Sequence, residues 1–166
     1  MLDIDSLTQR YRVCSMADHL GALAALYREN PQYFQAMGLE IPGENLWEDL
    51  VAVPPGKSVM DKCFLGFWEG ETLVAALELL ADYPEADTVY IGLFMMAASR
   101  QGAGEGSRIM EEVFAWLKSD GFTRVELEYT YGNQQSEAFW KKNGFRCNGE
   151  IRSLENYATV GMERTL

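Results

Sequence analysis

The chain has 166 residues, close to the ~100–200 of one compact domain, and 48% hydrophobic with 23% charged residues is a globular rather than a disordered composition. Acidic side chains outnumber basic ones by 25 to 14, and the net charge of −11 repels nucleic-acid backbones and anionic membrane surfaces. Met1 to Asp5 lacks the basic-then-apolar layout of a secretory signal, and the longest apolar run, Tyr90 to Ala98, is far short of the ~20 residues that span a bilayer. Cys14, Cys63 and Cys147 are widely spaced and form no C-x-x-C pair, which argues against a disulfide scaffold or zinc knuckle and for three buried, small apolar side chains. The expectation is one cytoplasmic domain over residues 1–166, with no nucleic-acid or membrane partner and with monomer and homodimer both open.

In chain order, Tyr11 to Cys14 reads as a short strand, and a helix follows from Ala17, where Leu20, Leu23, Ala24 and Tyr27 recur at helical spacing. Asn30-Pro31 stops it and starts a second helix through Gln32 to Met37; Asn45 with Glu48 has the spacing of a capped helix start, running to about Leu50. The period then changes. Lys62 to Trp68 and Leu73 to Leu80 read as a hairpin about Glu69-Gly70-Glu71, and Val89 to Met96 as a strand covered on both faces. Gly104 to Lys118 is an amphipathic helix with Ile109, Val113, Trp116 and Leu117 in one stripe, capped by Gly121. Val125 to Tyr131 alternates as a strand, Ser136 to Lys142 is a helix closed by Asn143-Gly144, and Phe145 to Ile151 and Tyr157 to Arg164 make a last strand pair. The class is mixed α/β with helices crossing between strands.

Gln101 to Ser107 joins a buried strand to that amphipathic helix. Its glycines let successive N–H groups approach an anion, and a helix start adds unpaired donors, so the loop is a phosphate cradle that needs no lysine or arginine. Two familiar nucleotide signatures fail: the third dinucleotide-loop position falls on Ser107, and Gly56-Lys57-Ser58 has Val51 where a Walker loop needs glycine. What fits is Q-x-x-G-x-G at Gln101, Gly104 and Gly106, followed after the next strand by Asn133-Gln134-Gln135-Ser136-Glu137-Ala138-Phe139-Trp140-Lys141-Lys142-Asn143-Gly144-Phe145.

Over roughly Lys62 to Arg164 these elements resemble the GCN5-related N-acetyltransferase (GNAT) family, whose members often carry N-x-x-A-x-x-L-Y-x-K-x-G-F in the second position. The resemblance implies a GNAT fold, a central mixed and mostly antiparallel sheet of about six to seven strands with helices on both faces. It also implies acetyl-coenzyme A as the only cofactor and direct attack by an amine without an acyl-enzyme. By that resemblance Phe94, Met95 and Met96 would offer backbone groups to the pantetheine amides. Gln101, Gly102, Ala103, Gly104, Glu105 and Gly106, with Ser107 beside them, would wrap the pyrophosphate. Asn133 would hydrogen-bond the cofactor arm next to Ser136. An ordinary glycine turn and a capping asparagine are the plainer roles for these positions.

The catalytic residues are less defined. The tyrosine that many members use as general acid falls on Trp140, whose indole N–H does not usefully give up its proton. Tyr131, Tyr129 or solvent would have to protonate the thiolate. Glu128, five residues before Asn133 and so beside the expected thioester, is the choice for the base, with Glu78, set among Leu77, Leu79 and Leu80, as the other candidate; either is equally at home on a wet strand face. His19, the only histidine, reads as a surface or interhelical residue. Tyr33 and Phe34 would wall the acceptor, a small-molecule or peptide amine that the acidic charge would favour as a cation. The rivals are a degenerate acyl-coenzyme A module without turnover, which Trp140 would suit, and an unrelated nucleotide-binding α/β protein.

Overall fold

A computed structural model describes residues 3–43 and 46–166. It contains β1 (Arg12–Ser15), α1 (Leu20–Glu29), α2 (Pro31–Gln35), α3 (Trp47–Val51), β2 (Lys62–Glu69), β3 (Thr72–Ala81) and β4 (Thr88–Met96), then α4 (Glu105–Ser119), β5 (Arg124–Thr130), α5 (Gln134–Lys142), β6 (Arg146–Ser153) and β7 (Ala158–Thr165). The first helix starts later than the apolar spacing implied, because Met16–Asp18 is a separate 3₁₀ turn capped by Ser15. Asn45, expected to open α3, lies outside the described residues. Pro31 occupies the first turn of α2, where a missing N–H costs nothing, and so divides α1 from α2.

The seven strands form one sheet in the order β1-β2-β3-β4-β5-β7-β6. All neighbours are antiparallel except β4 and β5, as a helix crossover between them requires. Both faces are covered. Leu23, Leu26, Tyr27, Phe34 and Leu50 from α1 to α3 pack on Phe64, Ala76, Leu93 and Met95. On the opposite face Ile109, Val113, Phe114 and Leu117 of α4, with Trp140 of α5, pack on Leu77, Ile91, Leu127 and Met162. The cysteine expectation fails in part: Cys147, on the edge strand β6, is exposed, and Cys14 and Cys63 are half-buried.

Two departures from regular pairing shape the centre of the sheet. β4 and β5 are paired only from Thr88↔Arg124 to Ile91↔Leu127, so their C-terminal halves part. Between β3 and β4 the register jumps from Glu78↔Leu93 to Leu79↔Ile91, which leaves Gly92 as the extra residue of a bulge.

Candidate active site

Where β4 and β5 part, a cleft of about 730 Å³ opens between α2, the end of β4, the glycine loop and α5. Of the expected cofactor residues, Phe94, Met95, Met96, Gln101, Gly102, Gly104, Gly106, Ser107, Asn133 and Ser136 line it. The glycines are there for two different reasons. Gly102 and Gly104 sit at φ +83° and +79°, left-handed conformations that side chains rarely adopt, and Gly104 is the residue from which α4 departs. Gly106 needs room: a Cβ there would meet Phe139, Met96 and Phe94 at 3.3–3.4 Å. No side chain caps α4, so its first N–H groups stay available beside the cleft, with the positive end of a 15-residue helix behind them.

The Gln101 side chain serves the protein itself. Its Nε2 donates to Asn30 Oδ1 at 2.7 Å and to the Met96 carbonyl at 3.0 Å, while Asn30 Nδ2 donates to Leu26 O at 3.0 Å and to the same Met96 carbonyl at 3.1 Å. Both lone pairs of that carbonyl are thereby used, which corrects the expectation that it is free for the pantetheine. Asn30 is 9% exposed, lines the cleft, and was read only as a helix stop; its partners lie 66 and 71 residues away and leave no local signal.

Ala103 and Glu105 do not line the cleft, a second correction. Glu105 turns away to accept from Arg100 at 2.6 and 2.8 Å and from the Tyr11 hydroxyl at 2.7 Å, and the guanidinium holds its carboxyl below the usual range. Arg100 also bonds Glu69 at 2.9 Å. Had the Glu105 carboxylate faced the cleft, it would oppose a diphosphate. Arg100, its charge taken up by Glu105 and Glu69, lines the cleft, and so does Lys142.

Asn133 caps α5, its Oδ1 accepting from the Ser136 N–H at 3.1 Å, which leaves the amide NH₂ as a donor at the cleft wall. Trp140 is buried among Phe94, Phe139 and Phe145, with ring centres 4.9–6.1 Å away, so its large ring builds the floor of the cleft. Tyr33 lines the cleft; Phe34 does not, being buried between Tyr27 and Tyr33.

A second cavity of about 70 Å³ lies between the parted strands and shares Tyr33, Phe94, Asn133, Ser136 and Trp140 with the first. Glu128 lines it, but its Oε2 accepts from Arg152 Nη2 at 2.7 Å, Arg152 Nε at 3.2 Å and Thr159 Oγ1 at 2.7 Å. Glu78, on the neighbouring strand, does not line this cavity itself; its carboxylate stands behind Gly92, which does. Its Oε1 lies so close to Gly92, a lining residue, that a Cβ there would come within 2.6 Å, and Lys62 Nζ stands 3.1 Å away. Burial raises the Glu78 carboxyl, against the pull of Lys62. Tyr33 is pushed up to about 12, by burial first and Glu78 next. Tyr129 is buried and lines the second cavity; Tyr131, at 71% exposure, lines neither. His19 packs its ring on Trp68 at 4.9 Å, outside both cavities. No cluster of three or more metal-ligating side chains occurs among the described residues, and none of their helices is long and apolar enough to cross a membrane.

The glycine cradle and the parted strands suit coenzyme A, whose diphosphate needs close backbone approach and whose narrow arm needs a slot ending near the second cavity. Solved structures share the fold. An acetyltransferase from Thermus thermophilus is 24% identical with a TM-score of 0.74, over 94% of this chain and 96% of that one. The PaiA N-acetyltransferase from Thermoplasma acidophilum, in complex with coenzyme A, is 17% identical with a TM-score of 0.67, over 93% and 98%. The ribosomal-protein-S18-alanine N-acetyltransferase from Escherichia coli is 14% identical with a TM-score of 0.66, over 93% and 92%. No curated protein matches the chain in sequence. The model of the Acetyltransferase (GNAT) family matches residues 23–145, well over half of the chain, and the protein therefore belongs to that family and uses acetyl-coenzyme A as its acetyl donor.

Proposed function

We propose that the protein transfers the acetyl group to a primary amine of a small molecule or peptide by direct attack, with both substrates bound. The observation that carries this reading is the meeting of the two cavities where β4 and β5 part, one sized for the donor and one reaching it from the acceptor side. Acetyl-coenzyme A supplies an activated thioester carbonyl. The α4 N-terminus with Gly102, Gly104 and Gly106 holds its diphosphate, and Asn133 and the β4 edge orient its arm. The acceptor nitrogen, neutral when it attacks, forms the C–N bond as the C–S bond breaks, and its surplus proton goes to a carboxylate or a bridging water. Glu78 fits that role better than Glu128, whose Oε2 is already held by Arg152 and Thr159. The thiolate takes its proton from Tyr129, which lines the second cavity, or from solvent, since Trp140 is no acid and Tyr131 stands outside both cavities. The net charge of −11 draws cationic acceptors toward the surface.

Trp140 in place of tyrosine favours one second reading, an acyl-coenzyme A module without turnover. Incubation with acetyl-coenzyme A and a panel of polyamines, amino sugars and lysine peptides separates the two. Stoichiometric release of free thiol with formation of an acetamide is expected for at least one amine. Donor binding without thiol release for every member would leave the module reading, and an ester product would overturn the amine assignment.

A further inference from the structure

We propose that Lys62 is a positioning residue for acetyl transfer: it holds the Glu78 carboxylate across the bulge at Gly92, at the acceptor cavity. This rests on the reading above in which Glu78 takes the proton of the amine.

The geometry starts with the ammonium. Lys62 opens β2 and its side chain is 5% exposed, so it must find partners inside the protein or lose its charge. It has three N–H donors and three acceptors. Nζ donates to the carbonyls of Asp49 at 2.6 Å and Ala52 at 2.9 Å, groups that the end of α3 leaves without helical partners, and it pairs with Glu78 Oε1 at 3.1 Å. With every donor engaged and two of the acceptors backbone, the ammonium has one place to stand. A carboxylate bonded to it is fixed as well.

Gly92 supplies the space on the other side of that carboxylate. Its backbone does not lie in the left-handed region, so torsion gives no reason for glycine there. Room does: an added Cβ would stand 2.6 Å from Glu78 Oε1 and 2.9 Å from Cδ. The bulge, the missing side chain and the lysine together lay a β3 carboxylate over Gly92 of β4, one of the residues that line the cavity. A pair serving stability alone is a weak device, because desolvation offsets much of the attraction between buried charges, and it would not need a vacancy on the next strand.

The charge of Lys62 also sets when Glu78 is ionised. The groups facing Glu78 are Lys62 from β2, Asp49 from α3, Tyr27 from α1 and Tyr33 from α2. Burial raises the Glu78 carboxyl and Asp49 adds to the rise, while Lys62 opposes both. An opposite charge at this distance is typically worth ~1–3 pH units, so removing it moves the acid limb of the rate profile upward by about that much.

The test is a pH profile of kcat/KM with one working amine for wild type, Lys62→Met, Lys62→Arg, Glu78→Gln and the double variant Lys62→Met/Glu78→Gln. Lys62→Met should move the acid limb upward by about 1–3 pH units, losing rate on its acid side and recovering at higher pH, with affinity for acetyl-coenzyme A unchanged. Lys62→Arg should bring the acid limb back toward wild type. In the Glu78→Gln background the Lys62→Met change should add nothing, because Lys62 acts only through that carboxylate. An unshifted acid limb, or an equal loss in both backgrounds, overturns the proposal. Should Lys62→Met not fold, Gly92→Ala displaces the carboxylate without touching the lysine. It should lower kcat while donor affinity holds, and an unchanged kcat counts against the proposal. A readout free of turnover is the Glu78 carboxyl titration by carbon NMR, assigned with Glu78→Gln: an upward move in Lys62→Met supports the pair, and no movement refutes it. If wild type acetylates no amine, the functional reading fails while the titration still judges Lys62; if amines react and the limb stays put, only Lys62 falls.

Discussion

Gly104→Ala tests the cradle with the smallest perturbation that carries weight. The nearest atom to a Cβ at this position is Arg108 Nη1 at 3.7 Å, so the methyl group itself displaces nothing. Its effect is torsional. A residue with a side chain at φ +79° costs about 1–2 kcal/mol relative to glycine. That strain has two outlets. If the loop keeps its shape, the folded state bears the cost, and Tm falls by about 2–8 °C for a chain of this size. If the loop relaxes, the N–H groups lose their aim and the cost reappears on binding, as an affinity for acetyl-coenzyme A weakened by about 5- to 30-fold. Thermal melting and calorimetric titration on one preparation measure both outlets, and the two losses together should fall within that range. Gly104→Val, with a branched side chain, should exceed it. A Gly104→Ala protein with wild-type Tm and wild-type affinity would show that the loop neither needs this conformation nor presents its amides to the diphosphate.

Trp140→Phe should keep kcat within about tenfold of wild type and lower Tm, since the indole packs on three phenylalanine rings and lost acid catalysis would be worth ~10²–10⁴; a thousandfold loss with donor affinity intact would reinstate the residue in the chemistry. Asn30→Ala removes the bonds to Gln101, Leu26 O and Met96 O, each worth ~0.5–1.5 kcal/mol net, so it should both lower Tm and weaken acetyl-coenzyme A, and an effect on Tm alone would confine Asn30 to the helix end. Glu105→Gln should be less stable than wild type at neutral pH. Because Arg100 holds the folded Glu105 carboxyl below the ordinary ~4.3, the difference should be full above that value and fade as pH falls through the lower folded one. A difference independent of pH, read from melts between pH 7 and 3, would deny the ion pair its role.

The elements that came through from the sequence are those whose signal is local. The stripe Ile109, Val113, Trp116, Leu117 is α4, the apolar run is β4, and the loop between them carries the glycines that its own backbone requires. Even α5, which begins at Gln134 rather than Ser136, is consistent with this, since Asn133 is its cap and a cap is a local device. The misplaced residues fail together for one reason. Glu105 sits inside the motif by spacing, yet its partner Tyr11 is 94 residues away, and no pattern within the loop shows that the side chain leaves it. Glu128 alternates with Glu126 on the half-buried face of β5, and only Arg152 and Thr159, contributed by β6 and β7, show that its Oε2 is occupied.

The pairing of Lys62 with Glu78 was hidden by a single residue of register. The hairpin closes with Glu69 opposite Thr72 and Trp68 opposite Leu73. Continued regularly, that register sets Lys62 opposite Leu79 and therefore on the face of the sheet away from Glu78. A bulge at Val74 of β3, opposite the step from Phe67 to Trp68, advances it by one, so that Lys62 faces Leu80 and shares a face, on the diagonal, with Glu78. The extra residue is Val74, and a valine does not announce a bulge. The site at the centre of the sheet thus depends on two irregularities, one at Val74 of β3 that brings the ammonium to the face of Glu78 and one at Gly92 that leaves room for the carboxylate it holds.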